Sequence, residues 1–152
     1  MSIFSETPTK GDIFLVLGGW DTLQQEASAI RHTVFVLEQN VPVELENDAL
    51  DAVCLHAVAR NAAGVALATG RLLPDGHIGR MAVMKEARGS GIGALVLKAL
   101  LQAALQRGDA VIALNAQWHA QAFYAAYGFV AEGAQFMDAG IPHIVMRYVS
   151  KT

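Results

Sequence analysis

Arg88-Gly89-Ser90-Gly91-Ile92-Gly93 stands between two segments of different period. Before it, Ile78 to Met84 is an apolar run of strand length. After it, Gly91 to Arg107 carries its apolar residues at helical spacing. A strand that feeds a helix through a glycine-rich turn is suited to meet an anion. The first amides of a helix have no internal acceptor, and the helix dipole favours negative charge beside them. Glycine lets the backbone approach a phosphate with no Cβ in the way. The amides of Gly89, Ser90, Gly91, Ile92, Gly93 and Ala94 are therefore the candidate cradle for a phosphate or pyrophosphate. The plainer alternative is a tight turn with no ligand.

Two common phosphate loops do not fit. A P-loop needs Gly-x-x-x-x-Gly-Lys-Ser/Thr, and here Ala94 follows Gly93 with no lysine or hydroxyl in place. A dinucleotide fingerprint needs Gly-x-Gly-x-x-Gly and an acid about 20 residues on. The spacing here is Gly-x-Gly-x-Gly, and Val111 to Leu114 carry no acid. What fits is Arg-x-x-Gly-x-Gly, made by Arg88, Gly91 and Gly93.

Three further segments stand in order around this loop. Val34-Phe35-Val36-Leu37-Glu38-Gln39 lies upstream. Ala120-Gln121-Ala122-Phe123-Tyr124-Ala125-Ala126-Tyr127-Gly128-Phe129 follows a short run, Val111 to Asn115, with Gln117 between them. Gly140-Ile141-Pro142-His143-Ile144-Val145-Met146 lies downstream. Together, across Arg31 to Tyr148, the four segments resemble the GNAT superfamily of N-acetyltransferases and its ElaA-like branch. The loop is similar to the family's pyrophosphate loop, and Ala120 to Phe129 to its Ala-x-x-Leu/Phe-Tyr-x-x-x-Gly-Phe segment. Gln117 stands where relatives often have Asn. The outer two segments are similar to the branch's Val-Phe-x-x-Glu-Gln and Gly-Ile-Pro-His-x-x-Met. Met1 to Gly19 has no specific match.

The resemblance implies an α/β fold of the GNAT acyl-CoA N-acyltransferase type. That fold is a mixed, mostly antiparallel sheet with splayed central parallel strands and flanking helices, here in a single domain over residues 1–152. It implies acetyl-CoA (coenzyme A) as co-substrate, with the pantetheine arm in the gap between the splayed strands. Met81, Ala82 and Val83 would pair with that arm through their backbone, and Gln117 and Phe123 would join the cofactor site. Arg88 would add charge to the pyrophosphate or only fix the loop.

Composition sets the outer bounds. A chain of 152 residues suits one domain with one core. Hydrophobic residues make up 53% and charged residues 16%, which suits a well-buried globular fold. A net charge of −3 with no basic run speaks against nucleic acid as a partner. No apolar stretch reaches membrane-spanning length. Met1-Ser2-Ile3-Phe4-Ser5-Glu6 lacks the basic and apolar regions of a signal peptide. Cys54 is the only cysteine, so no internal disulfide forms, and its apolar surroundings mark it as core rather than nucleophile. These features favour a cytoplasmic protein without a metal site, and a homodimer is compatible with them.

Periodicity and turn residues give the element order. Ile13 to Leu17 reads as a strand ending at Gly18-Gly19. Asp21 reads as the cap of the next helix with Gln24 as its capping-box partner. Leu23, Ala27, Ile30 and Val34 form its apolar stripe. Pro42 and the acids around it break regular structure. Cys54 to Arg60, Val65 to Leu73 and His77 to Met84 read as an antiparallel meander with turns at Asn61 to Gly64 and Pro74-Asp75-Gly76. The long helix shows a polar stripe of Lys98, Gln102 and Gln106 and ends at Gly108. Val111 to Asn115 is expected parallel to the strand before it. Ala120, Phe123, Tyr124 and Tyr127 share a helix face with Gly128 as its C-cap. Val130 to Met137 and His143 to Val149 then form a hairpin over Asp138-Ala139-Gly140.

An acetyltransferase must hold an activated thioester beside a neutral amine, take up a proton and quench the leaving thiolate. Tyr124 stands where the family places the proton donor to the thiolate; its alternative is core packing beside Phe123. Tyr127 is the reserve candidate. For the base, three residues stay open: His77, where some relatives carry a carboxylate; His143, in the branch-specific segment; and Glu38, in the Glu-Gln segment. Glu38, Gln39 and Glu44 border the acceptor side in the resembled fold. Glu38, Glu44, Glu46, Asp48 and Asp51 form an acidic run with no Lys or Arg among them. It reads as a solvated loop, or as a rim that attracts a cationic amine; Arg71 and Arg80 leave an anionic acceptor open. The function expected is transfer of acetyl to the primary amine of a small molecule or peptide. A non-catalytic acyl-CoA-binding or sensing module of the same fold is the alternative, and a nucleotide-binding regulatory domain is disfavoured by the loop mismatches.

Overall fold

A computed structural model describes residues 2–4, 12–46 and 48–150. The expectations about the start of the chain rest partly on residues outside that range. The described residues form one eight-stranded sheet: β1 (Ser2–Phe4), β2 (Phe14–Gly18), β3 (Leu55–Arg60), β4 (Ala66–Leu72), β5 (His77–Val83), β6 (Ala113–Gln117), β7 (Phe129–Asp138) and β8 (Ile141–Tyr148). Their order across the sheet is β1-β2-β3-β4-β5-β6-β8-β7. Every neighbouring pair is antiparallel except β5 and β6. The main helices are α1 (Trp20–Arg31), the four-residue α2 (Val43–Glu46), α3 (Ile92–Arg107) and the short α4 (Gln121–Ala125).

The apolar alternation of the strands decides which helix covers which face. Leu15 and Leu17 of β2, with Ala57 and Ala59 of β3, join the cluster that contains Ile92, Val96, Leu97 and Leu100 of α3. Val16 and Val58 point the other way and pack with Leu23 and Ala27 of α1. Successive side chains of a strand face opposite sides, so both faces are buried and the runs are nearly continuously apolar. The expected stripe is buried, with Leu23, Ala27 and Ile30 on α1 and Val34 in the π-type turns that follow it.

Several local expectations are corrected. Asp21 does not cap α1. Gly19 takes that place in extended conformation, its carbonyl accepts from Thr22 and Leu23 at 3.2 and 3.1 Å, and no side chain caps the turn. Asp21 instead lies in the first turn, where its charge meets the positive end of the dipole. Beyond Arg31 the helix widens into π-type turns over His32–Glu38. The strand expected at Val111 to Asn115 lies two residues on, at Ala113–Gln117. The helix expected from Ala120 to Tyr127 is a 3₁₀ turn at Trp118–Ala120 followed by α4, whose C-cap is Ala126 rather than Gly128. The final hairpin turns through Ala139 and Gly140, both with positive φ, as a tight two-residue loop requires. Among the described residues, no helix is long and apolar enough to cross a membrane.

Gly70 on β4 lets α3 approach the sheet. A Cβ there would lie 2.6 Å from Met81 Sδ, 2.9 Å from Leu100 Cδ1 and 3.0 Å from Val96 Cγ1. At Gly79, one strand over, a Cβ would meet nothing within 4 Å. Gly70→Val is therefore expected to destabilise by about 1–3 kcal/mol through overpacking, whereas Gly79→Ala is neutral or stabilising. Urea unfolding of the two variants checks this, and equal midpoints would contradict the close helix–sheet approach.

Candidate active site

β5 and β6 pair only at His77↔Ala113 and Ile78↔Leu114. Beyond that they part, as the family resemblance implied. The gap opens a cavity of about 530 Å³, walled by His77 to Val83 on one side and by Leu114, Asn115 and Gln117 on the other. The π-turn contributes Val34 and Phe35, and the β7–β8 hairpin contributes Asp138, Ile141 and His143.

The parting leaves backbone groups of β5 facing the gap. The Met84 amide donates to the Leu67 carbonyl at 2.8 Å, so Met84 turns toward β4. Strand alternation then turns Ala82, opposite Thr69, the same way and turns Met81 and Val83 into the cavity. The Val83 carbonyl, so directed, accepts from Arg88 Nε at 3.0 Å. All three candidates line the cavity, but the backbone polar groups of Met81 and Val83 face the cleft while those of Ala82 face β4. Two residues earlier the strand bulges: the register slips between Thr69 and Arg71, and Arg80 adopts φ 49°. Bulges re-aim side chains beside active sites.

The glycine loop reaches α3 through two left-handed residues, Gly89 at φ 80° and Gly91 at φ 87°. Among the described residues, none of the amides from Gly89 to Ala94 makes a turn or cap bond to a backbone carbonyl; the first that does is Leu95, which reaches Gly91 at 3.3 Å. At Gly89 and Gly91 an added Cβ would meet nothing within 4 Å, so these glycines are required by φ rather than by space. Gly93 differs, since a Cβ there would come 3.2 Å from Val83 Cγ2 and 3.8 Å from Phe123 Cζ. The Ser90 hydroxyl donates to the Ala87 carbonyl at 2.5 Å. Arg88 is a loop clamp as well as a charge, because its Nη2 donates to Glu38 Oε1 at 2.5 Å. Of the loop residues, Arg88 alone lines the cavity; Gly89, Ser90 and Gly91 are exposed outside it, and Ile92 is buried in the core under α3.

Tyr124 lines the cavity, edge-on to Phe123 and Phe129 at centroid distances of 5.0 and 6.3 Å. Burial raises its hydroxyl pKa to about 12. Phe123 is itself partly exposed and lies outside the cavity wall. Gln117, at the end of β6, donates through Nε2 to Gln39 Oε1 at 2.9 Å and so ties the end of the π-turn to the cleft.

The three base candidates separate. His77 is half-buried at the cavity wall, with Nδ1 3.1 Å from Asp75 Oδ1. Glu38 is engaged by Arg88 and does not line the cavity. His143 is buried, stacked on Phe136 at 5.8 Å, and its Nδ1 lies 2.7 Å from the Ile141 carbonyl. A carbonyl only accepts, so Nδ1 carries the hydrogen and Nε2 of the neutral ring carries the lone pair.

The acidic run is not the solvated loop or free rim read from its composition. Arg31 donates to Glu46 and, at 2.9 Å through Nη1 and Nη2, to Asp51; all three are buried. Arg71 donates to Asp48 at 2.8 and 3.0 Å and to Asp51 at 2.8 Å. Arg80 reaches Asp48 at 2.9 Å. Glu44 alone of the five is exposed without an ion-pair partner among the described residues, and it does not line the cavity. Trp20 lies under this knot, 4.7 Å from His56 and 5.3 Å from the Arg31 guanidinium. Cys54 is buried, and burial pushes its thiol pKa up, consistent with a core role.

Residues 21–150 match the acetyltransferase (GNAT) domain family. The chain is 38% identical over 125 residues to the uncharacterized N-acetyltransferase YjcF of Bacillus subtilis, covering 80% of this chain and 89% of that one. Its fold is similar to an acyl-CoA N-acyltransferase from Pseudomonas aeruginosa, with TM-score 0.81, 34% identity and coverage of 91% and 100% of the two chains. It is also similar to Escherichia coli ElaA, with TM-score 0.81, 25% identity and coverage of 90% and 99%.

The arginine–carboxylate knot has a signature in acid. Hydrogen bonds from Arg71, opposed by burial and aided by the charges of Arg71 and Arg80, lower the Asp48 pKa to about 2. The unfolded value is near about 3.9. A carboxyl depressed on folding stabilises above its unfolded pKa, and that contribution fades as pH falls from about 4 through about 2. Asp48→Asn is expected to be less stable than wild type at pH 6, with the difference shrinking across that window in urea titrations. Stability curves that stay parallel down to pH 2 would contradict the assignment.

Proposed function

The chain belongs to the GNAT acetyltransferase family, and on that premise we propose that it is an acetyl-CoA-dependent N-acetyltransferase. In this reading one domain transfers acetyl directly to the primary amine of a small molecule or peptide. The observation that carries it is the coincidence of two features on one strand–loop–helix unit: unpaired amides from Gly89 to Ala94, and the open backbone of Met81 and Val83. The first suits a pyrophosphate, the second an extended amide-bearing arm added like a strand. The thioester supplies the acetyl group already activated for attack.

The remaining roles fall to side chains in the cavity. His143 Nε2 is the acceptor for the amine's proton, directly or through one water, with its ring oriented by the Ile141 carbonyl. Tyr124 acts on the departing sulfur. A thiol ionises near about 8.5, whereas Tyr124 ionises near about 12. The proton therefore stays on the tyrosine oxygen at equilibrium, and the hydroxyl stabilises the thiolate by a hydrogen bond more than by complete transfer. A hydrogen bond to a charged group contributes about 1.5–3 kcal/mol. Glu38 supports the site by holding Arg88, and Gln39 by holding Gln117.

Thermal shift with acetyl-CoA, CoA, ATP and NAD, followed by thiol release with an amine panel, tests the reading. Only the coenzyme A forms should stabilise, and at least one amine should drive thiol release; binding without release on any amine would leave a sensor rather than an enzyme. Gly91→Val forces a branched residue to φ near 87°, which pulls the loop amides out of position. Calorimetry on the folded variant should show acetyl-CoA affinity down about 100-fold or more, the loss of two charged hydrogen bonds. An unchanged Kd would remove the loop from the site.

Tyr124→Phe is expected to lower kcat about 10- to 150-fold, and His143→Asn about 10²- to 10⁴-fold, each with little change in the KM for acetyl-CoA. Wild-type kcat in either variant would return that residue to a packing role.

A further inference from the structure

Resting on the acetyl-transfer reading, we propose that the amine acceptor also carries an oxyanion, a carboxylate or a phosphate, received by Arg80 where β5 bulges into the cavity. The charged side chains lining the cavity are Glu46, Arg71, Arg80, Arg88 and Asp138. Three of them are already neutralised: Glu46 by Arg31, Arg88 by Glu38, and Arg71 by Asp48 and Asp51. Arg80 makes a single carboxylate contact, whereas Arg31 and Arg71 each engage two carboxylates. Its Nη2 shares Asp48 Oδ2 with Arg71, at 2.9 Å, and touches the Leu45 carbonyl at 3.3 Å. Among the described residues, its buried Nε has no hydrogen-bond partner and its Nη1 has none.

Two further observations point the same way. Burial and the charge of Arg71 lower the pKa of Arg80, so its surroundings favour an added anion. Its backbone sits at φ 49°, a left-handed conformation that is unfavourable for a non-glycine residue. Glycine would avoid that cost, so the position keeps a guanidinium against local preference, as strained residues at binding sites do. A guanidinium fork matches carboxylate and phosphate geometry. Of the charged residues that line the cavity, Asp138 on the hairpin side has no ion-pair partner among the described residues, which suits the acceptor's ammonium before it loses its proton. An acceptor bearing both an amine and an oxyanion would complement both groups. A plain alkylamine or an internal lysine of a peptide would leave Arg80 under-compensated.

The test uses primary amines of one skeleton: 3-aminopropanoate, 3-aminopropyl phosphate and the neutral 3-aminopropanamide. With wild-type protein and acetyl-CoA, kcat/KM for one of the anionic members should exceed that for the amide by about 10- to 150-fold, as one charge-assisted hydrogen bond contributes. The winning member distinguishes carboxylate from phosphate. In Arg80→Gln the ratio should collapse toward one through KM for the anion. Arg80→Gly, which relaxes the left-handed backbone and so guards against misfolding, should do the same. If none of the three is acetylated, calorimetric binding of the same compounds to CoA-saturated protein decides, with Arg80-dependent preference for an anion as the supporting result. Preference for the amide, a ratio retained in both variants, or no anion-selective binding would overturn the proposal. Acetylation confined to uncharged amines would sink this inference and leave the acetyltransferase reading intact; selective anion binding with no acetylation of any amine would do the reverse.

Discussion

The parting of β5 from β6 is the constraint on which the site depends. Two residues of parallel pairing hold the strands together, and beyond Ile78 and Leu114 the ladder ends. Backbone groups facing an interior gap are costly unless they find partners. The chain leaves Met81 and Val83 in that position and satisfies only part of the deficit, through the bond from Arg88 to the Val83 carbonyl. The bulge at Arg80 and the close approach of α3 over Gly70 both sit on this strand or its neighbour. The cavity is thus a consequence of sheet geometry, and the loop, the π-turn and the β7–β8 hairpin furnish its edges.

A second structural unit fixes the far wall. Arg31, Arg71 and Arg80 come from a helix and two strands and converge on Glu46, Asp48 and Asp51 in an otherwise irregular segment. Removing one partner of such a buried knot would strand its counterion, which is why the segment is held in place despite having little regular structure of its own. His56 adds a bond from its ring to the Asp51 carbonyl at 2.9 Å, and burial keeps the pKa of that ring low. The wall is therefore close to neutral in sum, and its local imbalance lies at Arg80.

Much of this was legible in the sequence, and what was not has physical reasons. Strands and the long helix follow from apolar period, and the glycine loop from φ requirements that glycine alone meets cheaply, as Gly89 and Gly91 do. The parting strands were expected only from resemblance to the GNAT family, as were the candidacies of Tyr124 and of His77, His143 and Glu38, since plain apolar residues such as Met81 and Val83 carry no mark of an unpaired backbone. The acidic run misled because its counter-charges lie far away in the chain: Arg31 meets Asp51 across 20 residues and Arg80 meets Asp48 across 32. The π-turn, the Gly19 cap of α1 and the left-handed Arg80 were missed because each is set by tertiary packing. A glycine or asparagine at position 80 would have signalled the bulge; an arginine does not.

Backbone amide exchange at Met81 and Val83, with and without acetyl-CoA, tests the central claim most directly. Both amides face the gap and should exchange quickly in the free protein, then become protected once acetyl-CoA binds. Ala82, already directed to β4, should change far less. Bound acetyl-CoA with unaltered exchange at Met81 and Val83 would contradict the view that the open edge of β5 is the cofactor's partner.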